Sequence, residues 1–188
     1  MGRDKATLRL DGSTLLERTI RELQRLSDDV LVIGRTLPAV AGLRSLRDER
    51  ADGGPVGGLL TGLRSARHPI VIAAACDHPF LSAVALAGLV RLAPGYDAVV
   101  PRQSGRPQPL HAVYSKGAST HAETYIGGGG QSLRGLLSGM AVRWVDDAEL
   151  AWLDPSGRSL LNVNTPDEWS DVSEISIQSG ESAGRSKE

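Results

Sequence analysis

The sequence predicts an α/β protein of three layers, a mostly parallel sheet with helices on both faces. Short β-rich runs alternate with amphipathic stretches of helical length, which is the order that α/β units impose. Several of the β-rich runs are continuously apolar, as strands covered on both faces are. The 188 residues are 40% hydrophobic and 23% charged, which suits one core and excludes fibrous or wholly disordered architectures.

From Ser13 to Leu26, apolar residues recur at helical spacing (Leu15, Leu16, Ile20, Leu23, Leu26) with Arg and Glu between them, and Gly12 marks the turn before. Val30–Ile33 reads as a buried strand, and Arg35 to Gly54 as a polar surface loop that ends in Asp52-Gly53-Gly54-Pro55. A helix is expected over Val56 to Ala66, its glycines marking close packing. Ile70–Cys76 is the most apolar run, expected to be the most buried strand, and it stops at Asp77.

Beyond it the pattern predicts a helix at Ala83–Leu92, strands at Ala98–Pro101 and Leu110–Tyr114, and a helix at Gly117–Tyr125. A flexible glycine turn at Gly127–Gly130, a helix at Gln131–Ser138 and a strand at Val142–Val145 follow. A short strand at Leu161 gives way to Asn-Val-Asn-Thr-Pro-Asp-Glu, where Thr165 as N-cap, Pro166 as first helical residue and Glu168 as capping-box partner signal a helix start. Residues 1–172 are thus expected to form one domain and 173–188 a disordered polar tail.

The formal charge of −1 provides no global basic field for nucleic acid. No run approaches the ~20 apolar residues of a membrane span, and Met1 to Leu10 lacks the apolar stretch of about 7–15 residues that a signal peptide needs. Cys76 is the sole cysteine, so no disulfide forms within the chain and a reducing, cytoplasmic setting is expected. Cys76 itself reads as a small buried hydrophobe.

Among residues that could carry chemistry, Asp77 is the sharpest, because ligands of open α/β sheets bind outside the carboxyl ends of strands. A carboxylate there either holds a hard cation such as Mg²⁺ or closes a strand-end turn as a helix cap. Lys5 is one of three lysines in an arginine-rich chain; it reads either as a point charge for a phosphate or as a solvated terminal lysine. Asn162 and Asn164, two apart in extended geometry, face one side just before a helix start, suited to a polar ligand or to helix-entry hydrogen bonds. His68, His78, His111 and His121 show no metal-ligand spacing.

Five segments occur in a telling order: Gly2-Arg3-Asp4-Lys5-Ala6, Gly54-Pro55-Val56-Gly57-Gly58, Cys76-Asp77-His78-Pro79-Phe80-Leu81, Gln108-Pro109-Leu110-His111-Ala112-Val113-Tyr114, and Asn162-Val163-Asn164-Thr165-Pro166-Asp167-Glu168. Together they resemble the molybdenum cofactor guanylyltransferases, the MobA family, over roughly Met1 to Ser170. The resemblance implies a Rossmann-like nucleotidyltransferase fold and transfer of GMP from GTP to the phosphate of molybdenum-molybdopterin, with release of pyrophosphate. It implies that Lys5 contacts the nucleotide phosphates, that Asp77 holds Mg²⁺, that Asp48 belongs to the nucleotide site, and that Asn162 and Asn164 lie on the molybdopterin side. Molybdenum-insertion proteins and molybdoenzyme chaperones are the implied further partners.

Two departures stand out. His78 occupies a position where relatives commonly carry an apolar or small residue. The chain also starts at the Met-Gly of the family pattern, so the first strand and nearly all of its glycine loop are expected to be missing, which points to a start codon placed too late. That loss predicts unpaired strand edges and a gap in the core. The alternatives are a related nucleotidyltransferase that uses CTP or acts on a sugar phosphate, and an inactive remnant that binds molybdopterin or a partner.

Overall fold

The computed structural model describes residues 5–37, 42–50, 53–163, 168–170 and 172. Asp11 and Gly12 both take positive φ, 50° and 79°, and reverse the chain between the short antiparallel strands β1 (Arg9–Leu10) and β2 (Ser13–Thr14). Thr14 then caps α1 (Leu15–Gln24) through a reciprocal box: its side chain accepts the Glu17 N–H while the Glu17 carboxylate accepts the Thr14 N–H. This fixes the helix start two residues later than the periodicity alone suggests.

β3 (Val30–Ile33) pairs in parallel with β4 (Leu43–Leu46). β4 lies inside the stretch expected to be loop, because Leu-Arg-Ser-Leu offers no apolar run. Its strand conformation comes from its partner: Arg44 forks onto the nearly buried Asp29 carboxylate at 2.8 and 2.9 Å, and its guanidinium also reaches the Ser65 carbonyl. Then come α2 (Gly54–Ser65), β5 (Ile70–Ala74), α3 (Ala83–Arg91), β6 (Ala98–Gln103), β7 (Arg106–Pro107) and β8 (His111–Ser115). α4 (Ala118–Gly127), α5 (Leu133–Leu137), β9 (Val142–Val145) and α6 (Asp147–Leu153) complete the order. α6, which sequence reading missed, is short and set by its Asp146 cap, whose side chain accepts the Glu149 N–H.

The main sheet has the order β5-β8-β6-β7, with β9 also paired to β6. β5, β6 and β9 point the same way, and β8 lies reversed between β5 and β6. One apolar core joins the sheet to α2, α4 and α5, the other joins it to α3 and α6, so the predicted three layers are present. In the glycine run at the end of α4, Gly130 sits so close to the Tyr125 ring that any Cβ there would collide with it. Residues 161–163 are irregular rather than a strand; Val163 joins a third core with Leu10, Leu15 and Val172. Residues 168–170 and 172 are helical, whereas Thr165, Pro166 and the 173–188 tail lie outside the described residues.

β6 and β8, not β5, supply the most buried strand positions; β5 is half-buried along its length. The reason is a cavity of about 950 Å³ between β3 and β5, lined by Leu31, Ile33, Leu59, Ile72, Ala74 and Val90 among others. Cys76 lines it too and is half-buried rather than enclosed. Val30 and Gly34 donate to the β4 side, so by alternation Leu31 and Ile33 turn their backbone groups to the gap. Ala75 donates to Leu110 beside β8, which leaves Ile72 and Ala74 facing the same gap. Among the described residues, neither edge has a strand partner across it, as anticipated above.

α2 approaches the preceding turn so closely that a Cβ on Gly57 would overlap the Arg50 carbonyl oxygen. A main-chain group cannot swing away as a side chain can, so Gly57→Ala is expected to destabilise the protein by about 3 kcal/mol or more, measured by urea unfolding. A loss below about 1 kcal/mol would show that the turn yields.

Candidate active site

The carboxyl ends of β5, β6 and β9 and the start of β8 share one edge of the sheet, and three of the predicted site residues, Lys5, Asp77 and Asn162, gather there. Asp77 leaves β5 three residues beyond Ala74. The turn at Lys5–Thr7 packs on α1 and brings the Lys5 ammonium to 3.9 Å from Asp77 Oδ2. Val163 N–H donates to the Asp77 carbonyl at 2.9 Å, which pins the C-terminal segment to the same turn and places exposed Asn162 next to it. Lys5, Asp77 and Asn162, far apart in sequence, are thereby neighbours; Asn164 lies outside the described residues.

Asp48 takes a different position. Its Oδ1 accepts the Arg50 N–H at 3.0 Å and the Thr61 hydroxyl at 3.3 Å, so its hydrogen bonds serve the turn into α2 rather than the Lys5–Asp77 pair. Its Oδ2 borders the first turn of α2, 3.6 Å from where a Cβ on Gly58 would stand.

Two opposing influences set the charge of Asp77. Burial pushes its carboxyl up, but the adjacent His78 ring, the Lys5 ammonium and its own backbone N–H outweigh this and hold it below the usual carboxylate range. His78 Nδ1 stands 3.3 Å from Asp77 Oδ1 yet off the axis of a hydrogen bond, so both buried atoms lack a hydrogen-bond partner among the described residues. An ionised carboxylate with one buried, unused oxygen suits a hard cation. Among the described residues, no group of three or more His, Cys, Asp or Glu forms a protein-only metal cage. A single-carboxylate site shared with ligand phosphates is the form Mg²⁺ takes.

Sequence reading missed the histidine pair behind Asp77. His78 and His111, both buried, meet edge to face with centroids 5.3 Å apart. They come together because β5 and β8 pair with Ala74 opposite His111, a register that no local pattern announces. Buried Asp154 lies near enough to raise His111, while Ser156 Oγ and the Ser159 N–H hold its carboxylate at 2.6 and 2.8 Å. Burial, aided by His78, nevertheless pushes His111 down to about 3 from an ordinary 6.5.

Because the folded value is depressed, His111 contributes stability that is fully present above its unfolded pKa and is lost as pH falls below it. Acidification from 6.5 to about 5, above most carboxylate titration, should therefore cost roughly 2 kcal/mol on this account. His111→Leu should flatten that slope in denaturant unfolding at matched pH; an unchanged slope would place the loss elsewhere.

Residues 1–146 match the MobA-like NTP transferase domain. The chain belongs to that family. A relative from Chloroflexus aggregans, named a probable molybdenum cofactor guanylyltransferase, is 36% identical over 177 residues, covering 89% of this chain and 84% of its own. A molybdenum cofactor guanylyltransferase from Pseudomonas putida is 35% identical over 175 residues, with 90% and 88% covered. In fold, this MobA-like chain superimposes on molybdopterin-guanine dinucleotide biosynthesis protein A from Archaeoglobus fulgidus with a TM-score of 0.80 at 24% identity, over 94% and 92% of the two chains. A 2-C-methyl-D-erythritol 4-phosphate cytidylyltransferase from Thermus thermophilus follows at a TM-score of 0.68 and 19% identity, over 92% and 94%. Among the described residues, no helix is long and apolar enough to cross a membrane.

Proposed function

We propose that this MobA-like chain transfers GMP from GTP to the phosphate of molybdenum-molybdopterin, releasing pyrophosphate. The observation that carries the reading is the meeting of Lys5 and Asp77 at 3.9 Å on the carboxyl edge of the sheet, with Asn162 beside them. The relatives from Chloroflexus aggregans and Pseudomonas putida, which bear that activity in their names, support it. A cytoplasmic site of action, next to molybdenum-insertion proteins and the chaperones of recipient enzymes, belongs to the same reading.

Nucleotidyl transfer rests on alignment and charge neutralisation. The acceptor phosphate oxygen bonds to the α-phosphorus as the bond to the β-phosphate oxygen breaks, and no covalent link to the protein is needed. Lys5 offers its ammonium to the triphosphate, and Asp77 offers the carboxylate that would hold Mg²⁺. Bound there, Mg²⁺ supplies charge neutralisation of the departing pyrophosphate. Asn162, and Asn164 two residues on, bind the molybdopterin side; Asp48 orders the turn ahead of α2 on the nucleotide side.

The test is a thermal shift with Mg-GTP, against Mg-CTP as control, since a ligand that binds only the folded state must raise the melting midpoint. A GTP-selective rise is expected. A CTP-selective rise, or none with either nucleotide in a folded sample, overturns the reading. Asn162→Ala is expected to weaken molybdopterin binding while leaving GTP binding within about twofold; equal loss of both would reject its assignment.

A further inference from the structure

β6 alternates between the two cores: Ala98 and Val100 face α2, α4 and α5, whereas Val99 faces α3. By that period Arg102 belongs to the first side, and there its guanidinium carbon lies 4.0 Å above the centroid of the Trp144 ring. Trp144 comes from β9, held in register by Val100, and packs on the same core. Arg102 Nε is buried and, among the described residues, has no hydrogen-bond acceptor. Among the described residues, no carboxylate pairs with Arg102.

Two other half-buried arginines meet carboxylates: Arg44 forks onto Asp29 through two nitrogens, and Arg143 holds both Glu149 oxygens through one. A guanidinium is built for two-pronged contact with an oxyanion, and a buried donor without an acceptor costs free energy that a bound anion would restore. Stacking on Trp144 holds the planar group in one orientation and fixes the direction of its free edge.

Position gives the anion its identity. Arg102 stands one residue past Pro101, the last β6 residue paired with β9, on the edge that carries Asp77. β8 separates β5 from β6, so Arg102 and Asp77 are offset by two strand spacings, about 9–10 Å. An offset of that size leaves room for a second anionic group beside the one at Asp77. The nucleotide end holds Lys5 and Asp77; the opposite end holds Arg102 as its cation. Both reacting groups are anionic, so the acceptor phosphate can approach the α-phosphorus only if its own charge is met.

We propose that Arg102, braced on Trp144, grips the phosphate monoester of the acceptor and positions it for attack on the nucleotide. This rests on the guanylyltransferase reading above. Arg102 touches substrate and moves no proton: the acceptor oxygen forms the new bond to phosphorus and pyrophosphate leaves with the electron pair.

The test is calorimetric titration of wild-type protein, Arg102→Met and Arg102→Lys with molybdopterin, and separately with Mg-GTP. Arg102→Met keeps an apolar stem over Trp144 and removes the charge. It is expected to weaken molybdopterin binding about tenfold or more while leaving GTP binding within twofold and the melting midpoint within about 2 °C. Arg102→Lys should recover part of the loss, because it restores charge without the fork. Unchanged molybdopterin affinity in Arg102→Met, or a fall in melting midpoint with equal weakening of both ligands, overturns the proposal and leaves the guanylyltransferase reading standing. Wild-type protein that binds neither ligand overturns both.

Discussion

Asp77→Asn is expected to lower kcat/KM for GMP transfer by about three orders of magnitude with the fold intact. The carboxylate sits where β5 ends, with Lys5 at 3.9 Å on one oxygen and the other oxygen buried and unused. Asparagine keeps the shape and loses the charge that holds a divalent cation. The lost attraction to Lys5 lies at a partly solvated edge, so the melting midpoint should move by only a few degrees. Pyrophosphate release under saturating Mg-GTP measures the first effect and thermal unfolding the second. A variant that keeps more than a tenth of the wild-type rate would remove Asp77 from the catalytic site.

Joining an apolar strand of five or six residues and a short glycine-rich loop ahead of Met1 is expected to raise the melting midpoint by about 10 °C or more. The gap between β3 and β5 already presents the backbone groups of Leu31, Ile33, Ile72 and Ala74 from its two sides. Ala6, close to the chain start, lies against the same cavity, so an added strand can end at the edge where Lys5 meets Asp77. It would bury both of its faces and pair along both edges, gains that exceed the entropy of ordering so short a segment. Hydrogen exchange at Leu31, Ile33, Ile72 and Ala74 gives an independent readout: fast in this chain, protected in the extended one. An extended protein that melts at the same temperature with those amides still exchanging fast would rule out a strand position there.

Much of the fold was legible from local pattern. The periodicity around α1, the continuous apolar run of β3 and the helical stretch from Val56 each encode their element in a few neighbouring residues, and the structure has all three, with α2 starting at Gly54, two residues before the expected start. β4 was not legible, because Leu43–Leu46 is extended only through its partner and the Asp29–Arg44 fork. The site was legible in part: Asp77 announced itself as a carboxylate closing an apolar run, and Lys5 and Asn162 came through the family resemblance. Asp48 proved to serve the α2 turn through Thr61 and Arg50, a contact that spacing does not forecast.

By itself the sequence determined the α/β class, the alternation of its main elements and the candidate residues at Lys5, Asp77 and Asn162. The class and the alternation follow from period, capping and turn chemistry, which act over a few residues; the site candidates follow from those residues taken together with the family resemblance. Only the tertiary structure decided that β8 runs reversed between β5 and β6, that His111 meets His78 edge to face behind Asp77, and that Arg102 lies over Trp144. Those facts depend on which strands pair and in what register, and strand pairing joins residues tens of positions apart through backbone hydrogen bonds that no local pattern specifies.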